Sequence, residues 1–170
     1  SDLEMVLEEV WNPHNAAAVL RSADAFGVGR VHLLYDKEIF PELPLQSSGG
    51  VKRWMDLRSP ESVERLVDDL RRRGRAIVTT ALREDAVPLW ELDCTKPIAV
   101  VFGNEHTGVS PELLAAADHC VMVPMAGMAQ SLNISVSAGI VLSEIARQRR
   151  SMDNPWTAEK DALLQRWIDR

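Results

Sequence analysis

Side chains able to direct a reaction fall in three short stretches of this 170-residue sequence. The first, NPHNAAAVLRSADAFGV (Asn12 to Val28), sets Asn15 and Arg21 in a pattern of small and apolar residues. Arg21 interrupts that pattern with a permanent positive charge whose planar fork suits a phosphate. The second, FGNEHTG (Phe102 to Gly108), holds Glu105, rich in acceptor sites, between glycines that let a backbone approach a ligand. The third, VPMAGMAQSLNISVSAGI (Val123 to Ile140), carries Ser131, Asn133 and Ser135 at alternate positions where a flexible stretch becomes an apolar, helix-like run. One such residue is enough to cap a helix, which leaves two for other work. Met125 and Met128 add soft, polarisable surface of the kind that accepts an adenine ring or a thioether.

The elements that must position these residues read as alternating strands and helices. Strands are expected at Leu3–Val10, Val31–Tyr35, Lys52–Leu57, Ala76–Thr80, Ile98–Phe102 and Cys120–Val123. Helices are expected from Pro13 to Phe26, capped by Asn12, from Ser59 to about Arg73, from Ser110 to Ala117 and from Gln130 to Arg147. A loop with Pro41, Pro44 and Gln46–Gly50 follows the second strand. An amphipathic helix, Trp156 to Ile168, is expected beyond Asp153-Asn154-Pro155. Alternation of this kind means an α/β domain with a mainly parallel sheet and helices on both faces. Such sheets bind ligands outside the carboxyl ends of their strands, where the second and third stretches fall. Residues 1–150 read as the main domain and 151–170 as a helical extension.

Composition narrows the possibilities. Hydrophobic residues make up 46% and charged residues 26%, the balance of a folded globular chain. No uninterrupted apolar run exceeds Ile98–Phe102, far short of a membrane span. The acidic start SDLEMVLEEV does not read as a secretory signal, and Ser1 in place of Met is compatible with residues upstream. Cys94 and Cys120 follow no pairing or metal spacing, as expected of free thiols in a reducing cytoplasm. His14, His32, His106 and His119 show no metal spacing either. With net charge -6 and a pI near 5.2, a nucleic-acid role requires a local basic patch. Arg71, Arg72, Arg73 and Arg75 read either as such a patch or as the cationic end of a helix, where the dipole favours them. Gly27-Val28-Gly29 follows a helix rather than a strand and lacks a third glycine, so it reads as a turn and not a dinucleotide fingerprint.

Together, in order and with their flanking strands, the three stretches resemble the three motifs of the SPOUT superfamily of RNA methyltransferases. SSGGVKRW (Ser47 to Trp54), TALREDA (Thr80 to Ala86) and DCTKPIAVVFG (Asp93 to Gly103) resemble its TrmH-type tRNA guanosine 2′-O-methyltransferases. The resemblance implies a deep trefoil knot in the C-terminal part of the domain, S-adenosyl-L-methionine as cofactor with no metal, an RNA substrate, a homodimer whose active sites are completed across subunits, and a cytoplasmic place in tRNA processing. It implies a catalytic set of Arg21, Asn15, Glu105, Ser131 and Asn133. Thr80, Ala81, Gly103, Val123, Met125 and Leu132 would hold the cofactor, and Ala138 with Gly139 would let the last helix approach a neighbouring subunit. The expected acceptor is the ribose of the D-loop guanosine at the eighteenth tRNA position. Alternatives are ribosomal RNA, the tRNA anticodon loop, or a knotted protein that binds without catalysis. TrmH-type proteins also carry a basic, helical N-terminal extension, whereas this sequence starts almost at its first strand.

Overall fold

The computed structural model describes residues 2–36, 39–43, 50–150, 161–162 and 165. Seven strands form one sheet: β1 (Leu3–Glu8), β2 (Arg30–Leu34), β3 (Leu57–Arg58), β4 (Ala76–Thr80), β5 (Val87–Pro88), β6 (Ile98–Phe102) and β7 (His119–Met122). Their order across the sheet is β3-β2-β1-β6-β4-β7-β5, and every pairing is parallel. Among the described residues, helices α1 (Pro13–Ala25), α2 (Val63–Arg72) and α3 (Pro111–Ala116) lie between strands, and α4 (Ile134–Gln148) follows the last of them. Leu3, Met5 and Leu7 of β1 share one core with Leu20 of α1 and Leu142 of α4. Val6, one position out of phase with them, shares the other core with Leu66 of α2 and Leu113 of α3. Helices therefore cover both faces, as a parallel sheet requires.

Several boundaries differ from expectation for local reasons. The strand expected over Lys52–Leu57 is a 3-10 turn at Val51–Arg53 followed by the two-residue β3. Helix α2 starts not at Ser59 but after Ser62, whose hydroxyl accepts from Arg65 N. Helix α4 starts after Asn133 rather than at Gln130. The pair Val87–Pro88, too short to carry an alternation signal, adds the edge strand β5. Gly27 closes α1 at φ 74, a left-handed conformation glycine adopts freely, which agrees with the turn reading. Ala138 is fully buried in the chain's own core and so is unavailable to a second subunit; at Gly139 the space beside the backbone is open. Residues 44–49 of the expected loop, and all of the expected C-terminal helix except Asp161, Ala162 and Gln165, lie outside the described residues. Those three are helical and exposed.

Glu4 and Glu8 of the acidic first segment are buried in the interior strand β1, each with partners. Glu8 Oε2 accepts from Ser110 N at 2.8 Å, at the start of α3. Glu4 accepts from His32, from Arg73 and from Arg75 Nε at 2.9 Å. Arg73 and Arg75 are thus turned inward, which favours the helix-end reading of the arginine cluster over a phosphate patch. Burial pushes the Glu4 carboxyl up, but those hydrogen bonds outweigh it and hold the pKa at about 2. A folded value below the ordinary 4.5 means stabilisation that is fully present above pH 4.5 and lost as pH falls toward 2. Glu4→Ala takes from Arg75 its carboxylate partner and leaves Arg73 with Asp69 alone, and is expected to cost about 3 kcal/mol, measured as a lower urea midpoint at unchanged slope.

Candidate active site

Adjacent strands β1 and β6 continue in opposite directions: after β1 the chain moves to β2, after β6 to β7 on the far side of β4. This is a topological switch point, and the crevice at the carboxyl ends of such strands is where open α/β sheets take their ligands. Two loops flank it. One leaves β1 through Glu9, Val10, Trp11 and Asn12. The other leaves β6 through Gly103, Asn104 and Glu105.

The first loop owes its direction to Glu9, a non-glycine residue at φ 51. Such a conformation persists only where its surroundings enforce it. Here Glu9 N donates to Leu34 O, Glu9 O accepts from Asn104 Nδ2, and Glu9 Oε1 accepts from Asp36 N. Asn12 then caps α1, its Oδ1 accepting from His14 N and Asn15 N. The second loop is closed by paired bonds between the Asn104 and Gly108 backbones, and Asn104 Oδ1 accepts from His106 N and Thr107 N. Sequence reasoning passed over Asn104, although an Asn opening a tight loop is the signal for such a turn. A Cβ on Gly103 would lie 2.3 Å from the Gly108 carbonyl. The close approach here is of the loop to itself. Gly103→Ala is expected to displace the loop, cost about 1–3 kcal/mol, and lower activity with it, as thermal melting and assay together would record.

Glu105 is the hub of the site. Its carboxylate accepts from Trp11 N at 3.0 Å, Asn12 N at 3.2 Å and Asn15 Nδ2 at 2.9 Å. A carboxylate only accepts, so Asn15 must present its NH₂ to Glu105 and its oxygen elsewhere. That oxygen accepts from Asn133 Nδ2 at 3.0 Å. The remaining Asn133 oxygen accepts from Ser135 N and Ser135 Oγ, capping α4. The charge on Glu105 therefore sets the direction of the whole chain, which ties segments 90 and 118 residues apart. Partial burial works against ionisation of Glu105, but the bonds from Asn15, Trp11 and Asn12 outweigh it and hold the carboxyl below its ordinary range. A carboxylate so saturated is an anchor, unsuited to taking a proton. Of the three polar residues at the head of α4, Asn133 is the cap and Ser135 its bonded companion.

Arg21 and Ser131 stand outside this network. Both are exposed, and no hydrogen bond or ion pair holds the Arg21 guanidinium among the described residues. At 3.6 residues per turn Arg21 points about 240° around α1 from Asn15. The six candidate cofactor residues lie at or after the carboxyl ends of β4 (Thr80, Ala81), β6 (Gly103) and β7 (Val123, Met125) and just before α4 (Leu132). All six are half-buried, and the three strands are neighbours in the order β6-β4-β7. Met128 is fully exposed.

A parallel α/β sheet with polar loops gathered at its switch point is the arrangement of a ligand-binding α/β protein. The chain belongs to the SpoU rRNA Methylase family, whose model matches residues 2–143. It is 45% identical over 148 residues to the tRNA (guanosine(18)-2′-O)-methyltransferase of Thermus thermophilus, an alignment covering 87% of this chain and 76% of that protein. Among solved structures it is similar to the Aquifex aeolicus TrmH/SpoU tRNA modifying enzyme, with TM-score 0.85 and 34% identity over 98% of this chain and 87% of that one. It is also similar to the SpoU methyltransferase AviRb from Streptomyces viridochromogenes in complex with AdoMet, with TM-score 0.79 and 28% identity over 87% and 60% of the two chains. The sequence resemblance and the family agree: the chain is a methyltransferase.

Proposed function

We propose that this chain methylates the ribose 2′-hydroxyl of a tRNA guanosine, the guanosine(18) named for its Thermus relative, using S-adenosyl-L-methionine. The observation that carries the reading is the Glu105–Asn15–Asn133 chain, which locks all three motif segments together beside the switch-point crevice. The cofactor residues fit their group: Val123, Met125 and Leu132 offer apolar surface to a flat ring, and backbone groups at three adjacent strand ends offer polar contacts. When bound, that cofactor supplies an already electrophilic methyl group, so the chemistry needs no metal.

What remains for the protein is to place the hydroxyl and to manage its proton. Asn15 and Asn133 each keep a second amide N–H beyond those in the network, enough to orient a ribose. Ser131, exposed beside them, adds a hydroxyl. Arg21 is charged and does not ordinarily lose a proton; its part is to clamp an RNA phosphate, and either that phosphate or a transiently neutral Arg21 takes the proton from the 2′-hydroxyl. Positioning of this kind supplies roughly 7–11 kcal/mol in favourable cases. Because Arg21 points away from Asn15 on α1, its phosphate serves the pocket of a second subunit, and the protein works as a homodimer. Exposed Val136 and Ile140 on α4 and Phe26 after α1 suit that contact. The knot around the third motif and a cytoplasmic location belong to the same reading. Among the described residues no helix is long and apolar enough to cross a membrane.

The test is incubation of the purified protein with labelled cofactor and unmodified tRNA transcripts, followed by nuclease mapping. Label in the D-loop guanosine ribose is expected. Label confined to ribosomal RNA or to an anticodon loop would replace the substrate, and binding of cofactor without transfer to any RNA would replace the reaction.

A further inference from the structure

Beside the Glu105 hub stands a large side chain that neither the hub nor either core uses. Trp11 is 60% exposed, although tryptophan is among the most buried residue types on average. Its backbone is fixed, because Trp11 N donates to Glu105. Its ring meets a second one: His106, next to Glu105 in the opposite loop, lies with its ring centroid 6.2 Å from the indole at a tilt of 56°. The two rings are too close for a third to pass between them, and the rest of this exposed side chain is available to a ligand.

Two occupants could cover the exposed indole, and its surroundings discriminate between them. A subunit contact centres on large side chains in apolar company. The exposed apolar residues Val136 and Ile140 on α4 answer that description. The residues that meet Trp11 are polar: Asn12 follows it in the chain, Glu105 accepts from its backbone N–H, and His106 faces its ring. A polar rim around one flat apolar face matches a nucleobase, which is itself flat on its faces and polar at its edges. RNA loops are read by splaying out bases and stacking them on aromatic side chains.

We infer that Trp11, braced by His106, is a stacking platform for a nucleobase splayed out beside the acceptor ribose. The inference rests on the proposed RNA reaction and adds a positioning residue to it. Stacking accepts any base, so the platform fixes where the RNA lies without choosing its sequence. It acts equally before and during methyl transfer, so its loss raises KM and leaves kcat nearly unchanged.

Trp11→Ala and Trp11→Phe are the variants to compare, since neither removes the backbone bond to Glu105. Filter binding to an unmodified tRNA transcript gives RNA affinity, and methyl transfer gives kcat and KM. The expected result is an affinity loss and KM rise of about ten-fold or more for Trp11→Ala, largely recovered by Trp11→Phe, with cofactor affinity and oligomeric mass unchanged. Unchanged RNA affinity in Trp11→Ala would overturn the platform. A change in oligomeric mass would overturn it in favour of a subunit contact. The two readings fail separately: transcripts bound but never methylated by the parent protein would defeat the proposed reaction, while the affinity difference between the variants would still decide the platform.

Discussion

Arg21→Ala lowers methyl transfer by about 10²–10⁴-fold, the range a group that manages a proton commands, while melting temperature and cofactor affinity stay at the parent values. The second half of this expectation follows from the structure directly. Arg21 is exposed and carries no hydrogen bond or ion pair among the described residues, so its removal breaks nothing that holds the fold. A surface cation without a partner is ordinarily worth little; a large kinetic effect at such a position therefore reports on a ligand. Arg21→Lys sharpens the point. Lysine keeps the charge but loses the planar fork that engages two phosphate oxygens at once, so it recovers little of the lost rate. An Arg21→Lys protein of near-parental activity would sink the clamp and leave only a diffuse electrostatic attraction. Rising salt should weaken RNA binding by the parent more steeply than by Arg21→Ala, because one phosphate contact fewer releases fewer counterions.

Glu105→Gln tests the other half of the site. The side chain keeps its size, but one carboxylate oxygen becomes an NH₂ facing donors. Oε1 accepts from Asn12 N and Asn15 Nδ2 and Oε2 from Trp11 N, so an NH₂ at either position faces a donor. At Oε2 it pushes Trp11 N and its loop away; at Oε1 it opposes Asn12 N and turns the Asn15 amide over, and with it the hydrogen bond from Asn133. A displacement of about 1 Å at a reacting centre can cost 10²-fold in rate, and a loss of about that size is expected here, read as a fall in kcat with a modest drop in thermal stability. The pH dependence supplies a sign. The folded carboxyl titrates below its ordinary 4.5, so the ordering it provides is present above that value and is lost as pH falls through the lower, folded one. Activity of the parent should decline on that acid limb, and Glu105→Gln, already without the charge, should lack the limb. An unaltered acid profile in the variant would assign the decline to some other group.

How far the sequence could be read depended on the kind of signal each feature leaves. Parallel strands buried on both sides leave short apolar runs, and β6 and much of β4 were legible as such, while β1 shows only Met5–Leu7 between two buried glutamates. The start of α4 was displaced because three polar residues at alternate positions all look like caps; only the direction imposed by Glu105 singles out Asn133. Ala138 and Gly139 read alike as small, yet one is packed in the core and the other faces open space, a distinction of helix face that composition does not carry. The inward turn of Arg73 and Arg75 was invisible because it depends on a Glu4 carboxylate about seventy residues earlier. The candidate site was legible by resemblance in its membership but not in its wiring. That Asn15 bonds both Glu105 and Asn133 while Arg21 stands apart is a property of the helix period and the sheet order together.

The sheet order has a consequence in time. Of the seven strands β1 is the first to be synthesised, yet it lies inside the sheet, and its partner β6 begins at Ile98. Until that strand is synthesised, one edge of β1 is open, and Glu105 cannot yet anchor the chain beyond it. Asn133, which completes the network, comes later still. Pairings this distant in sequence pay loop-closure entropy before they return any stability, and they slow folding accordingly. The nascent chain therefore carries an unfinished strand edge until β6 emerges and an unassembled site until Asn133 does. The pocket forms only when nearly the whole domain has emerged.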